Sequence, residues 1–345
     1  MRVPSFKFIG MLLCLQLLSA QMVFADTVRP LPYDLIYVRA AYKGATGAGN
    51  NTVWPDTVRP LTPEPGAQLM LLRSNGTREL LFPLAIHRSL IDTPSGSALS
   101  VGSVSDPNVS FDAKWVLFTW YHNLTSVNTQ RDGVSYKGAD LYKINLQTRE
   151  VVRLTQQIFT PNTGNGASFD PGNSDSNYPR VGVFNTGGTF APDGKIVFTS
   201  TRNNQLPPKS LNSGQRALQL FRMDSDGKNV EMIGHLNLAM ALHPQILMDG
   251  RITFSSWEEH GIRDPRQFAL WVMGPDGRSW SGLSGFSEFS IAHHFMTQMP
   301  GGDVVVTRYY NFNNNGFGDL IRFPLPGGSG PGTDTPDPAP GSGVV

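Results

Sequence analysis

FAPDGKIVFTSTRN, from Phe190 to Asn203, sets a Pro-Asp-Gly turn directly before an alternating apolar run. Pro192 fixes one turn dihedral and Gly194 permits a positive φ, while Lys195–Arg202 is rich in β-branched and aromatic residues. Alone, the stretch reads as one hairpin. The chain continues, however, with LQLFRM (Leu218–Met223), a turn at Asp224-Ser225-Asp226-Gly227 and NVEMI (Asn229–Ile233). This order of strands and turns then recurs. HPQILMDG (His243–Gly250) leads into RITFSSW (Arg251–Trp257), FALWVM (Phe268–Met273) and GPDG (Gly274–Gly277). HHFMTQMPGG (His293–Gly302) leads into DVVVTRYY (Asp303–Tyr310) and DLIRF (Asp319–Phe323).

Upstream, DPNVSFDA (Asp106–Ala113) precedes KWVLFTW (Lys114–Trp120), DLYKINL (Asp140–Leu146) and REVVRLT (Arg149–Thr155). A first, partial unit comprises DLIYVRA (Asp34–Ala40), QLMLLR (Gln68–Arg73) and RELLF (Arg78–Phe82). The second strands start near residues 34, 114, 195, 251 and 303. The last two intervals approach the roughly 40–50 residues of a propeller blade, and the earlier ones carry long loops. Units of four short strands, each too small to bury its own faces, predict an all-β fold. The expected architecture is a β-propeller of five or six four-stranded blades, incomplete at both ends. Its first unit lacks an inner strand and its last lacks an outer one. A β-sandwich accounts for short strands but not for the repeated order of turn types. DTVRPL occurs at Asp26–Leu31 and again at Asp56–Leu61. The first copy is a candidate for the missing outer strand; a propeller truncated by loss of its C-terminal part is the alternative.

Residues 1–25 read as a secretion signal. Arg2 and Lys7 form a basic start, Phe8–Leu18 is apolar, and Val23-Phe24-Ala25 suits cleavage. The apolar run is short for a membrane span. The expected location is therefore periplasmic or secreted. Residues 26–326 form the propeller, and residues 327–345 a Gly/Pro-rich tail with too little apolar surface to fold. Cleavage leaves 320 residues and removes the sole cysteine, Cys14, so no disulfide and no covalently attached haem is expected. Of 28 basic residues, 26 remain against 27 acidic ones, a net charge of −1 that offers nothing to nucleic acid. The 36 glycines and 26 prolines suit a chain punctuated by turns.

The runs KIVFTSTR and LQLFRMDSDGKN resemble the TolB-type, WD-repeat-like propeller blade. ADLYKINL, the long stretch Leu218–Arg263 and LWVMGPDGRSW resemble the hydrazine synthase alpha subunit middle domain and its secreted bacterial relatives. The resemblance spans roughly residues 33–325. It implies a propeller from an exported, often multidomain protein. It does not imply hydrazine synthesis, which needs c-type haems.

In a propeller the innermost strands line a central channel. Aligning the turns places Asp106 with His243, each before a proline, and His294, with His293 beside it, falls within one position of them. Carboxylate and imidazole converging there could hold a divalent metal or a polar ligand. Each could equally cap a turn. Glu258, Glu259, His260 and Arg263 follow a second strand and offer a mixed-charge loop that could read a polar ligand beside that mouth. Adjacent Glu258 and Glu259 point apart in extended backbone, which counts against a glycosidase pair. Asp170 and Asp175 offer a looser calcium site, whereas the Asn-rich loop Asn311–Asp319 lacks the carboxylates of a calcium-binding hand. Trp115, Trp120, Tyr121, Trp257 and Trp271 lie on strands or their ends, where packing is commoner than sugar stacking. There is no nucleophile elbow, P-loop or dinucleotide fingerprint. The sequence thus predicts a binding or interaction scaffold for a protein partner or small polar ligand. A metal-dependent hydrolase or lyase, or an accessory subunit of a haem redox complex, is the alternative.

Overall fold

The structure is a computed structural model that describes residues 31–40, 66–84, 87–90, 102–122, 138–158, 182–203, 216–234, 240–257, 268–284, 291–310 and 319–325. The signal segment, most of both DTVRPL copies, the tail, and the loops holding Glu258, Glu259, His260, Arg263, Asp170 and Asp175 lie outside these residues.

The described strands fall into five antiparallel units. The first contains β1 (Leu35–Arg39), β2 (Gln68–Leu72) and β3 (Arg78–Phe82). The second contains β4 (Ser103–Val109), β5 (Trp115–Tyr121), β6 (Ala139–Asn145) and β7 (Val151–Arg153). The third contains β8 (Asn185–Phe190), β9 (Lys195–Ser200), β10 (Gln219–Asp224) and β11 (Glu231–Met232). β12 (Ala241–Ile246), β13 (Ile252–Trp257), β14 (Phe268–Met273) and β15 (Ser281–Ser284) follow. β16 (Ile291–Gln298), β17 (Val304–Tyr310) and β18 (Asp319–Phe323) complete the set. Among the described residues the first and last units have three strands and the middle three have four, and β14 and β16 join the last two units into one seven-stranded sheet.

One turn joins the first two strands in four units. Ala113, Gly194, Gly250 and Gly302 donate their N–H to Ser110, Ala191, Leu247 and Met299 across 2.8–3.1 Å, and all four have positive φ. In three of these turns an aspartate (Asp112, Asp193 or Asp249) accepts from the N–H two residues on, which locks the reversal.

Neighbouring units are stitched at the opposite end. Parallel bridges link Ala139 to Phe184, Leu218 to Met240 and Phe268 to Ala292, each joining the third strand of one unit to the inner strand of the next. Apolar clusters fill every gap between consecutive units. Phe82 of β3 packs with Phe118 and Trp120 of β5, and Leu117 and Leu141 pack with Phe198 and Phe221. Val197 and Leu220 meet Phe254 and Met273, and Leu270 and Val272 meet Val304 and Val306. Trp120, Tyr121 and Trp257 are fully buried, so these aromatics serve packing. A buried polar knot adds to the second gap. Asp140 accepts from Thr155, Asn185, Arg153 and Gln157 at 2.7–3.1 Å, and Asn185 belongs to the next unit. No helix among the described residues is long and apolar enough to cross a membrane.

The turn between the third and fourth strands also touches the preceding unit. A Cβ on Gly227, at φ +87°, would lie 2.3 Å from the Leu154 carbonyl oxygen, whereas one on Gly194, at φ +81°, would meet nothing within 4 Å. Gly194→Ala should cost about 1–2 kcal/mol from the left-handed backbone alone. Gly227→Ala should cost a further 1–3 kcal/mol or so through the clash. Urea unfolding of the two variants checks this; equal losses would show that the units part freely at that turn.

Candidate functional site

The inner strands β4, β8, β12 and β16 stand side by side around one axis, and each carries the same β-bulge. Ser105 pairs with Thr119 and Asn108 with Leu117, so Asp106 and Pro107 together oppose Phe118. Likewise Gly187-Gly188 oppose Phe198, His243-Pro244 oppose Phe254, and Phe295-Met296 oppose Val306. The first bulge residue is left-handed in every case: φ is 51° at Asp106, 62° at Gly187, 54° at His243 and 55° at Phe295. Glycine takes this conformation freely, but other residues incur about 1–2 kcal/mol. Three non-glycine residues at equivalent places therefore hold real strain, and such strain concentrates where side chains must be aimed.

They are aimed into a cavity of about 380 Å³ on the axis. Its wall is Ser105–Asn108 of β4, Gly187 and Gly188 of β8, and His243 and Gln245 of β12. Phe295–Thr297 of β16 and Val38 of β1 complete it. β1 is the innermost described strand of its unit, so Val38 occupies the place that an inner strand would fill. At the bridged end, Tyr121, Phe184, Leu218, Met240, Trp257, Phe268 and Ala292 form an apolar layer that joins four units.

Asp106 and His243 face each other across this space, with Oδ1 3.8 Å from Nδ1. The other carboxylate oxygen of Asp106 accepts from Ser105 Oγ at 2.7 Å and from Thr119 Oγ1 at 3.1 Å. Thr119 Oγ1 in turn accepts the Gly187 N–H at 3.1 Å, which ties the carboxylate to the next unit. Burial pushes the His243 imidazole below its ordinary pKa, and the Asp106 charge opposes this. The buried Tyr121 phenol is pushed well above its usual value by burial, with the Asp106 charge adding to it. His294 lies behind His243, with ring centroids 5.4 Å apart and edge-on, and its other side meets Phe268 at 4.4 Å. Burial, reinforced by His243 and His293, holds His294 well below the usual imidazole range. His293 shares a 2.9 Å hydrogen bond between Nδ1 and Ser284 Oγ.

The structure thus brings together Asp106, His243 and His294, as the sequence alignment proposed. It places them differently from converging metal ligands. His294 is stacked in the layer behind His243, and among the described residues no three His, Cys, Asp or Glu side chains form a group able to hold a metal ion. Sequence reasoning missed Phe295, which occupies the bulge position that His294 only adjoins. The signal was present: Asp106, Gly187, His243 and Phe295 each precede by seven residues the left-handed turn residue Ala113, Gly194, Gly250 or Gly302.

No family model and no curated protein matches the sequence. Solved structures do match. The hydrazine synthase of Kuenenia stuttgartiensis superposes with a TM-score of 0.54 at 14% identity, covering 85% of this chain and 37% of that chain. The fold is a β-propeller. A putative TolB from Agrobacterium tumefaciens matches at TM-score 0.37 and 19% identity, over 63% of this chain and 56% of its own. TolB from Acinetobacter baumannii matches at 0.36 and 15%, over 72% and 47%. This chain thus spans between about a third and little more than half of the length of these proteins, and the likeness to hydrazine synthase is one of fold alone.

The buried imidazoles make stability depend on pH. His294 stays neutral in the folded propeller but takes up a proton near pH 6.5 once unfolded, so the unfolded state binds more protons below that pH. Its stabilising contribution is complete above about pH 6.5 and is lost as the pH falls towards the depressed folded value, at up to about 1.4 kcal/mol per pH unit. Urea midpoints measured from pH 7.5 to 5.5 should fall in the wild type and fall less steeply in His294→Phe.

Proposed function

We propose that this chain is an exported binding propeller whose ligand enters the axial cavity and is held by Asp106 and His243. The observation that carries the reading is the set of four equivalent bulges. Three place a non-glycine residue in a strained left-handed conformation facing the same 380 Å³ space. A cavity of that size accepts a small molecule, and a few polar groups on a mainly apolar wall are the usual composition of such a site. The paired carboxylate and imidazole are only partly buried, 17% and 13% exposed, and so remain accessible to it. Because propellers host many activities, the proposal rests on the cavity and not on the fold. The basic start, apolar run and Ala25 cleavage site support a periplasmic or secreted location for this binding.

Two measurements test the reading. A thermal-shift panel of small amines, amino acids, carboxylates and sugars should contain stabilising compounds. Their effect should vanish in Asp106→Asn and His243→Gln but persist in the surface variant Asp112→Asn. Survival of every shift in both cavity variants would place the ligands elsewhere. N-terminal sequencing of the exported protein should begin at Asp26.

A further inference from the structure

The axial cavity has a one-sided charge. Of the described residues that line it, only Asp106 and His243 are ionisable. Burial favours the neutral form of His243, which leaves a single negative charge at the wall. That charge is oriented. Ser105 and Thr119 both donate to Oδ2, so the hydroxyl donors near the carboxylate are already directed at one oxygen, and Oδ1 is left on the side of His243, 3.8 Å from its Nδ1. An anionic ligand would meet this carboxylate in a confined space. A hard metal cation would seek six or more oxygen ligands, and much of the lining is instead an aromatic ring, a thioether and aliphatic groups from Phe295, Met296, Val38 and Pro107. Phe295 is held by its left-handed bulge, with its ring 4.2 Å from that of His243, on the side of the cavity that faces β12. A fixed carboxylate and an aromatic face around an apolar space are the combination that binds organic ammonium ions, through ion pairing and cation–π attraction.

We infer that the axial cavity binds a small organic ammonium ion, its charge on Asp106 Oδ1 and its carbon substituents against Phe295 and Met296. The inference deepens the binding-propeller reading and rests on it. Neutral His243 offers the same ligand a hydrogen-bond acceptor or donor beside the carboxylate, and the amide and hydroxyl of Gln245 and Thr297 complete the polar side of the wall.

The test uses the full mature chain carrying 13C-methyl methionine. The Met296 resonance, assigned by its loss in Met296→Leu, reports any occupant of the cavity. Ethylammonium, tetramethylammonium, acetate, acetamide and calcium chloride are titrated separately at pH 7.5. The expected result is a saturable shift of Met296 with one or both ammonium ions and none with acetate. The ammonium dissociation constant should rise at least tenfold in Asp106→Asn and about three- to tenfold in Phe295→Leu, with urea midpoints showing that both variants stay folded. Met296 shifts caused by acetate, acetamide or calcium but not by either ammonium ion would overturn the organic-ammonium assignment and leave the cavity reading standing. A Met296 that no probe moves would overturn both. Ammonium binding that survives Asp106→Asn unchanged would overturn the role given to the carboxylate and with it the inference.

Discussion

No blade of this protein can bury both of its faces alone, and everything else follows from that constraint. A sheet of four strands with two to seven residues each exposes two apolar surfaces. Each surface is satisfied only by the next sheet in the chain, which is why the apolar clusters lie between units and not within them. Such packing holds the inner strands at a fixed pitch around the axis. The parallel bridges at Ala139, Leu218 and Phe268 then set their height, because each ties an inner strand to the unit before it. A side chain at a given position of an inner strand therefore returns at the same level in every blade.

That regularity lets one local device build a site. A bulge places two residues opposite one and rotates the side chains that follow. Repeated at the same level in four blades, it directs Asp106, His243 and Phe295 to a common space without any of them being near in sequence. Pro107 and Pro244 fit there because the bulge already interrupts the ladder, so their missing N–H groups leave no partner stranded. The hydroxyl row on the second strands stabilises the arrangement. Thr119 bonds both Asp106 and the Gly187 N–H of the next blade, and Ser255 donates to the His293 carbonyl across another blade gap.

The fold was legible because turn chemistry and strand alternation repeat in the sequence with recognisable residues. Pro192-Asp193-Gly194 and Asp249-Gly250 both announce a left-handed turn, and the structure contains it at each. The site was legible only in part. Asp106 and His243 stood out because a proline follows each, but Phe295 is followed by Met296 and carries no such flag. His294 drew attention by its chemistry, although its ring is turned into the layer that meets Phe268. Residue type marks what a side chain can do, but the bulge decides which way it faces, and a bulge at a non-glycine residue leaves no compositional trace.

The exception among the four bulges completes the physical account. Gly187 occupies the third blade's position, and a Cβ there would approach Pro244 Cδ to 3.2 Å and the His243 backbone nitrogen to 3.6 Å. A Cβ on the next residue, Gly188, would lie 2.7 Å from Leu117. β8 therefore runs closer to its neighbours than the other inner strands could with side chains at these places, and paired glycines are what permit it. The close approach has a chemical consequence. It lets the Gly187 N–H reach Thr119, which in turn holds the Asp106 carboxylate, and it brings β12 near enough for His243 to face that carboxylate at 3.8 Å. The blade with glycine at its bulge thereby sets the separation of Asp106 and His243 on the blades to either side.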